Sequence, residues 1–459
     1  MITYSIIRKS QFESPYRIDA EYFQPEYLYL IKALKKVPTI QLGSIAFVTD
    51  GIHSSIDYDN KSNIRCLSAQ SVQDNYFDLS ANTFISEQQH KMNLRTSLKR
   101  DDVILSSVGT IGNCAVVTDD ILPANADRHV AIIRLSNREL SSSYLSAFLN
   151  SKYGRFQTFR ESTGNVQLNL FIDKIKTLII PILKNHREIG ELAKKSYNMI
   201  LFANSLYSQA EDLLLNELGL KDFKIEDDLT YTVNLSDIKS AHRSDAEYFH
   251  PKYEKLINNL NLIKSKLIDL SFLNEIFSIR RGDFIAPEYY IEKSRQAYIR
   301  IKELPSAGDI NLDSIMYIDD NFVNSNLETL LEGDFVFAGI GATLGKTARI
   351  PKELEGSFYS NNTVRFRLRK VWKDKADTYY LQVILQSKIC QLQFEQRQAQ
   401  TAQAKIADEE LKTVLIPILP QSTQQKIADL VRQSHEAHKK AKEFLEQAKK
   451  EVEELIENQ

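Results

Sequence analysis

Cysteine is scarce in this 459-residue chain: Cys66, Cys114 and Cys390 are odd in number, far apart and outside any CxxC spacing. That excludes a disulfide framework and gives no sign of a zinc site. An excess of charge of one sign is also missing, with 58 Lys+Arg against 60 Asp+Glu and a formal net charge of -2. A protein held on nucleic acid by bulk positive charge is excluded, but not one whose basic residues are local or shared with partners. No run approaches 18 apolar residues, and MITYSIIRKSQFESPYR has no basic start, apolar stretch and small-residue cleavage site in sequence. The expectation is a soluble, cytoplasmic protein.

Catalytic and cofactor signatures are missing too. The one phosphate-loop lookalike, Gly339-Ile-Gly-Ala-Thr-Leu-Gly-Lys-Thr347, has Ile340 where a Walker loop needs its first glycine. Its counterpart Val108-Gly-Thr-Ile-Gly-Asn-Cys114 has no lysine, so both read as glycine turns between strands. There is no Asn-Pro-Pro-Tyr type motif, no glycine-rich strand-turn-helix for S-adenosylmethionine, no Pro-Asp…Glu-x-Lys nuclease cluster and no HExxH. His435 and His438, three apart on a helix, read as seam and surface residues, and Asp408-Glu-Glu410 as a solvated helix face.

What the chain does have is an internal repeat. Arg17-Ile-Asp-Ala-Glu-Tyr-Phe-Gln-Pro-Glu-Tyr27 recurs as Arg243-Ser-Asp-Ala-Glu-Tyr-Phe-His-Pro-Lys-Tyr253, identical at eight of eleven positions with a shift of 226 between Asp19 and Asp245. Leu98–Gly112 answers to Leu330–Gly345, with Gly109 and Gly341 separated by 232. Leu178-Ile-Ile-Pro-Ile-Leu183 matches Val414-Leu-Ile-Pro-Ile-Leu419, where the two prolines are 236 apart. A slowly growing offset is what loop insertions produce, so the chain is two tandem copies of one unit of roughly 230 residues.

Each copy opens on the AEYF segment and continues through strand-like alternations such as Val130-Ala-Ile-Ile-Arg-Leu135 and Val364-Arg-Phe-Arg-Leu368. It closes on the IPIL strand, whose proline suits a strand end or edge, and a long polar helix starting near His186 or Thr423 follows. A 4,3 spacing gives the second helix a seam of Ile427, Val431, Ser434, His438, Ala441, Leu445, Ala448, Val452 and Leu455. A shift of 238 gives Ile189, Ala193, Ser196, Ile200, Ala203, Tyr207, Ala210, Leu214 and Glu217. Small residues fall in register, which favours antiparallel packing of the two helices on each other; separate packing of each on its own domain is the alternative. About 35 residues make a rod of roughly 50 Å.

Taken in order and twice over, the AEYFxP entry, the GTIG or GATLG turn and the IPIL strand leading into Gln424-Gln-Lys-Ile-Ala428 resemble the specificity subunit of type I restriction-modification systems. The resemblance spans both halves. It implies an α+β protein with two mixed α/β target recognition domains, a pair of long antiparallel coiled-coil spacer helices and an internal pseudo-twofold repeat. On that reading the chain divides into an N-terminal segment (1–38), a first recognition domain (39–183), a first spacer helix (184–218), a connector (219–265), a second recognition domain (266–419) and a second spacer helix (420–459). The family's helix entry carries prolines and a Glu-Gln pair; here the second copy has Pro420 and Gln424-Gln425, the first Lys184-Asn-His-Arg187. Gly164-Asn-Val-Gln-Leu-Asn169 resembles the family's Gly-x-x-Gln loop, and its partner Thr401-Ala-Gln-Ala-Lys405 has lost the glycine.

The implied function is non-catalytic: binding an asymmetric, bipartite target on double-stranded DNA and positioning two methyltransferase subunits and motor-nuclease restriction subunits. S-adenosylmethionine, ATP and magnesium are then expected only in those partners, with no membrane involved. Readings left open are a methyltransferase-only system, a coiled-coil scaffold without DNA binding and, weakest, an independent enzyme.

Base readout needs Arg, Lys, Asn or Gln, with Ser, Thr and backbone amides on phosphates. In the first half the candidates are His53, Ser54, Ser55, Arg65, Ser106, Ser107, Thr110, Arg128, His129, Gln167 and Asn169. In the second they are Arg280, Arg281, Arg300 and Lys302 flanking a strand, Thr343, Lys346, Asn361, Asn362 and the alternating Arg365, Arg367 and Arg369, expected to project from one sheet face. Tyr22, Phe23, Tyr248 and Phe249 are candidate partner anchors, with burial in the chain's own fold expected for half of them.

Overall fold

A computed structural model describes residues 4–8, 17–80, 83–136, 139–164, 167–224, 230–305, 310, 312, 315–322, 327–399 and 403–458. The chain forms two units, Met1–Phe202 with Ala437–Gln459, and Ala203–Glu436. Among the described residues no helix is long and apolar enough to cross a membrane, and no group of His, Cys, Asp or Glu could hold a metal ion.

The described residues of the first unit form nine strands: β1 (Thr39–Gln41), β2 (Ala46–Asp50), β3 (Ile64–Leu67), β4 (Phe84–Ile85), β5 (Val103–Ser106), β6 (Cys114–Val116), β7 (Ala124–Ala126), β8 (Val130–Leu135) and β9 (Ile179–Pro181). An antiparallel sheet runs β2-β8-β5-β6, a second runs β4-β3-β7 with β3 and β7 parallel, and β1 pairs with β9. Alternation on the central strands feeds two cores. Val103, Leu105, Ala131 and Ile133 join the helices Ser142–Asn150 and Lys152–Glu161 on one side; Ile104, Val130 and Ile132 meet the smaller sheet on the other. With both faces covered, each fully buried aliphatic side chain contributes about 1.5–3 kcal/mol.

The second unit repeats this plan with β10 (Asp269–Phe272), β11 (Phe277–Arg281), β12 (Tyr290–Ile291), β13 (Gln296–Ile299), β14 (Met316–Ile318), β15 (Phe335–Ala338), β16 (Thr347–Arg349), β17 (Phe358–Tyr359), β18 (Thr363–Leu368) and β19 (Leu415–Ile418). The order β11-β18-β15-β16 reproduces β2-β8-β5-β6, and β13 pairs parallel with β17 as β3 does with β7. Phe335, Phe337, Val364 and Phe366 face the helices; Val336 and Ala338 face the smaller sheet.

The repeated residues owe their places to repeated bonds. The IPIL strand is pinned by a tyrosine: Tyr144 Oη donates to the Pro181 carbonyl at 2.6 Å and Tyr380 Oη to the Pro417 carbonyl at 2.7 Å. A glutamine then satisfies one backbone position of the same strand in both directions. Gln157 accepts from Ile179 N–H (2.8 Å) and donates to its carbonyl (3.0 Å); Gln393 does the same for Leu415 at 2.8 and 2.8 Å. Such short strands keep their edge groups paired, as buried backbone requires.

The long helices run His186–Glu217 and Gln421–Glu457. In the first unit Ile189 and Ala193 share a core with Ala448, Val452 and Ile456. In the second, Ala210 and Leu214 share one with Ile427 and Val431, and Ser434 Oγ donates to the Ala203 carbonyl at 2.8 Å. The helices thus pack antiparallel on each other. At the seam's ends the strict 4,3 spacing drifts: Ile456 is buried rather than Leu455, and Glu217 is exposed beside buried Leu218. A 3.6-residue turn slips against a 3.5-residue repeat in this way.

The AEYF segment forms a clasp in each half. Arg17 grips Asp19 through two bonds of 2.8 Å, donates to the carbonyls of Arg160 and Ser162, and stacks 4.6 Å from the Tyr22 ring. Arg243 repeats the grip on Asp245, donates to the Gln398 carbonyl at 3.0 Å and lies 4.5 Å from the Tyr248 ring. Hydrogen bonding from the arginine holds both carboxyls below the usual carboxylate range, outweighing the desolvation that opposes it. A depressed folded value means the contribution is complete above about pH 4 and is lost as pH falls through the lowered folded pKa. Hydrogen exchange at residues 17–23 and 243–249, corrected for intrinsic rate, is expected to show both segments released ahead of the sheets as pH falls through the lowered carboxyl range; retained protection would contradict it.

Candidate nucleic-acid interface

In each half, the turn joining the third and fourth strands of the larger sheet meets the return loop that precedes the IPIL strand. In the first, β5 ends on Ser106, and the turn passes through Gly109 (φ 78°) and Gly112 (φ 92°). Positive φ at both is tolerated because glycine has no Cβ. Ser106, fully buried, donates to the Thr110 carbonyl and accepts from Asn113 N–H at 3.1 Å, so it shapes the turn rather than facing outward. Ser107 is buried as well, joined by its backbone to His129 O (3.0 Å) and Leu170 N (2.8 Å). Gly109 N–H donates to Leu168 O at 3.2 Å, Val108 bridges Asn169, and the exposed Gln167 amide lies over Gly109. Asn169 is half-buried, its side chain donating to the Gln167 carbonyl at 3.2 Å. Exposed Thr110 stands at the turn's tip, and Asn165 and Val166 lie outside the described residues.

The second half builds the same junction without the loop glycine. Gly341 (φ 88°) donates to Ala404 O at 2.8 Å, Ile340 bridges Lys405, and the Gln403 amide takes the place over Gly341 that Gln167 takes over Gly109. Thr401 and Ala402 lie outside the described residues. Gln403 is absent from the sequence-derived candidates, although its offset of 236 from Gln167 equals that of the IPIL prolines. Thr343 and Lys346 are half-buried in this turn, and Lys346 N–H donates to the Thr343 carbonyl at 3.1 Å.

Beside the junction in the first unit, Gly51 packs on the backbone of Ala126 and Asp127, which brings two His–Asp pairs onto adjoining turns. His53, exposed, is 2.5 Å from Asp50, and His129 Nδ1 is 2.9 Å from Asp127. Ser54, Ser55 and Arg128 are exposed nearby in sequence. Arg65 sits in β3, half-buried, and donates to the Ile121 carbonyl at 3.0 Å. Arg95, which the sequence does not single out, reaches the turn from Leu94–Thr96, donating to Thr49 Oγ1, the Asp50 carbonyl (3.1 Å) and the Gly51 carbonyl (3.3 Å).

In the second unit the expected row of three guanidinium groups is corrected. The strand β18 alternates as read, but its arginine face lies under the smaller sheet, where acidic partners meet it. Arg365 is 4% exposed and pairs with Glu328 at 2.8 Å; Arg367 grips Asp334 at 2.9 and 2.7 Å and donates to the Thr329 carbonyl. Arg369 lies beyond the strand, exposed, and donates to the carbonyls of Asn274 and Phe277. The Arg367 grip is a repeated element: Arg134 holds Asp102 at 2.7 and 2.6 Å and donates to the Ser97 carbonyl. Asp102 and Asp334 in turn accept from Lys99 and Leu331 N–H at 2.8 Å each.

Other second-half candidates also have structural partners. Arg281 pairs with Asp408 and donates to the Ile406 carbonyl at 3.1 Å, so the run 408–410 is not simply a solvated face. Arg300 and Lys302 both follow β13 rather than flank it; Arg300 is tied to buried Glu303 at 2.6 Å, while Lys302 is exposed. Asn361 and Asn362 are exposed, and the Asn362 carbonyl accepts from Gly339 N–H at 3.0 Å. Arg280 remains 41% exposed at its side chain, 3.4 Å from Glu328 and 3.7 Å from Asp283. Of the partner anchors, Tyr22 and Phe23 are buried in their own unit, with the Arg160 guanidinium 3.7 Å from the Tyr22 ring centre, whereas Tyr248 and Phe249 are half-buried.

A family model described as "Type I restriction modification DNA specificity domain" matches residues 265–447. Among solved structures, the Type-I restriction-modification system S subunit from M. genitalium covers 92% of this chain and 95% of its own at 13% identity and TM-score 0.36. The HsdS subunit from Thermoanaerobacter tengcongensis covers 92% and 96% at 13% identity and TM-score 0.29. A chain from work on complex assembly and conformational transition of the type I R-M system covers 92% and 98% at 13% identity and TM-score 0.28. No curated protein matches. Residues 265–447 therefore belong to the type I restriction-modification DNA specificity family, and the first half of the chain repeats the strand order, the arginine–aspartate grip and the glycine turn found there.

Proposed function

We propose that the chain is the DNA sequence-specificity subunit of a type I restriction-modification complex, reading an asymmetric bipartite target on double-stranded DNA. The observation that carries this is a shared frame with unshared edges. Both halves keep the same larger sheet, clasp and turn-loop junction, while the polar residues around the junction differ: His53, Arg128 and His129 in one, Arg280, Asn361 and Asn362 in the other. Two such domains read two different half-sites, and bases between them go unread. The methyl transfer and any cleavage belong to methyltransferase and motor-nuclease partners, which also hold S-adenosylmethionine, ATP and magnesium. A net charge of -2 fits a subunit that shares phosphate contacts with such partners.

Gln167 and Gln403 occupy equivalent places and so serve what both half-sites have in common, the sugar-phosphate backbone. In band-shifts of the chain with its methyltransferase partner, Gln167→Ala and Gln403→Ala are each expected to weaken retention of target DNA roughly threefold to tenfold, whatever the bases. A coiled-coil scaffold would retain no duplex in preference to any other, and that result would remove the proposal.

A further inference from the structure

Resting on that reading, the two units hold one further feature in common that the repeat does not explain. Gly51 and Gly282 are equivalent: each packs on the backbone at the end of the parallel strand, Ala126 and Asp127 in one case, Tyr359 and Ser360 in the other. Thr49 therefore corresponds to Arg280, and through the pairing of Leu98 with Leu330, Arg95 and Thr96 correspond to Leu327 and Glu328. In the first unit the cation comes from the segment before the third sheet strand, Arg95, and its acceptors are Thr49, Asp50 and Gly51 on β2 and its turn. In the second the cation comes from β11, Arg280, and the carboxylate, Glu328, from the other segment. The same bridge is built with donor and acceptor exchanged.

Stability does not account for this. Arg95 is 50% exposed and Arg280 41%, and exposed ion pairs add little to a fold. What is kept through the exchange is a half-exposed guanidinium at the same turn, facing a carboxylate in each case, Asp50 for Arg95 and Glu328 and Asp283 for Arg280. A guanidinium held in this way loses less rotamer freedom on binding, and its fork matches guanine O6 and N7 in the major groove. The neighbouring arginines do not share this state, since Arg281 is bound to Asp408 and Arg365 is 5% exposed at its side chain.

We infer that Arg95 and Arg280 are specificity-determining residues, each reading one guanine in its own half-site. Selection of bound sequences from a random duplex pool, by the chain with its methyltransferase partner, tests this. Arg95→Ala is expected to lose the preference for guanine at one position of one half-site, by about tenfold to a hundredfold, with the other half-site unchanged. Arg280→Ala should do the converse. Arg95→Lys and Arg280→Lys keep the charge without the fork, and should relax the same positions at near wild-type overall retention. They decide the matter if an alanine variant melts early. Variants that select the wild-type bases, or weaken all sequences alike, overturn the inference while leaving the specificity function intact. A wild-type complex with no preferred sequence overturns both.

Discussion

Arg367→Ala and Arg134→Ala are each expected to cost about 3–5 kcal/mol, read as a lower midpoint in urea unfolding of the affected unit. Both guanidinium groups are partly exposed, but the carboxylates they serve are not: the side chains of Asp334 and Asp102 are 3% and 1% exposed. Truncating the arginine leaves a buried charge with only a backbone N–H, at Leu331 or Lys99, to answer it. Each grip ties the arginine's strand to one turn at two points, since the same arginine also takes the carbonyl of Thr329 or Ser97. A loss below about 1 kcal/mol would show that these are ordinary surface pairs. It follows that weaker DNA binding after replacement of Arg365 and Arg367 reports a damaged sheet and not a lost base contact.

Gly51→Ala and Gly282→Ala are expected to be as damaging for a steric reason. A Cβ at Gly51 would lie 2.1 Å from Asp127 O and 2.2 Å from Ala126 O; at Gly282 it would lie 2.3 Å from Ser360 O and 2.4 Å from Tyr359 O. All four atoms are backbone carbonyls in the sheet framework and cannot swing aside, so the cost should reach about 3 kcal/mol or more, the upper end for overpacking. Gly219 supplies the control. It has φ 64° with nothing near its missing Cβ, so alanine there should cost only about 1–2 kcal/mol for the left-handed backbone. Thermal melting of the three variants distinguishes the effects, and equal losses at Gly51 and Gly219 would refute the steric account.

How much of this was readable from residues alone depends on whether the signal is local. The duplication, the glycine turns, the IPIL strands and the helix seam rest on spacing and identity along the chain, and the structure places them as read except at the seam's ends, where Ile456 and Leu218 are buried in place of Leu455 and Glu217. The arginine row failed because alternation fixes which side of a strand a residue takes, not what covers that side. On β18 the covered side holds Glu328 and Asp334, both distant from the strand in sequence. Nothing local in the sequence singles out Arg95 for the same reason: its partners lie 44 to 46 residues away. Gln403 is legible in the sequence, because the offset of 236 that aligns the prolines also aligns the glutamines, although the second copy lacks the loop glycine. Half of the expected aromatic anchors, Tyr22 and Phe23, are buried: the Arg160 guanidinium lies 3.7 Å from the Tyr22 ring and Tyr22 Oη donates to Glu161 at 3.1 Å, partners far away in sequence.

The central claim, two different readers in one chain, is tested most directly by mapping every methylated position in the genome of a cell carrying the intact system. The expected result is a single motif of two unequal half-sites separated by a gap of fixed length in which any base is accepted. A palindromic motif, an uninterrupted one, or no motif that disappears when this chain is deleted would contradict it.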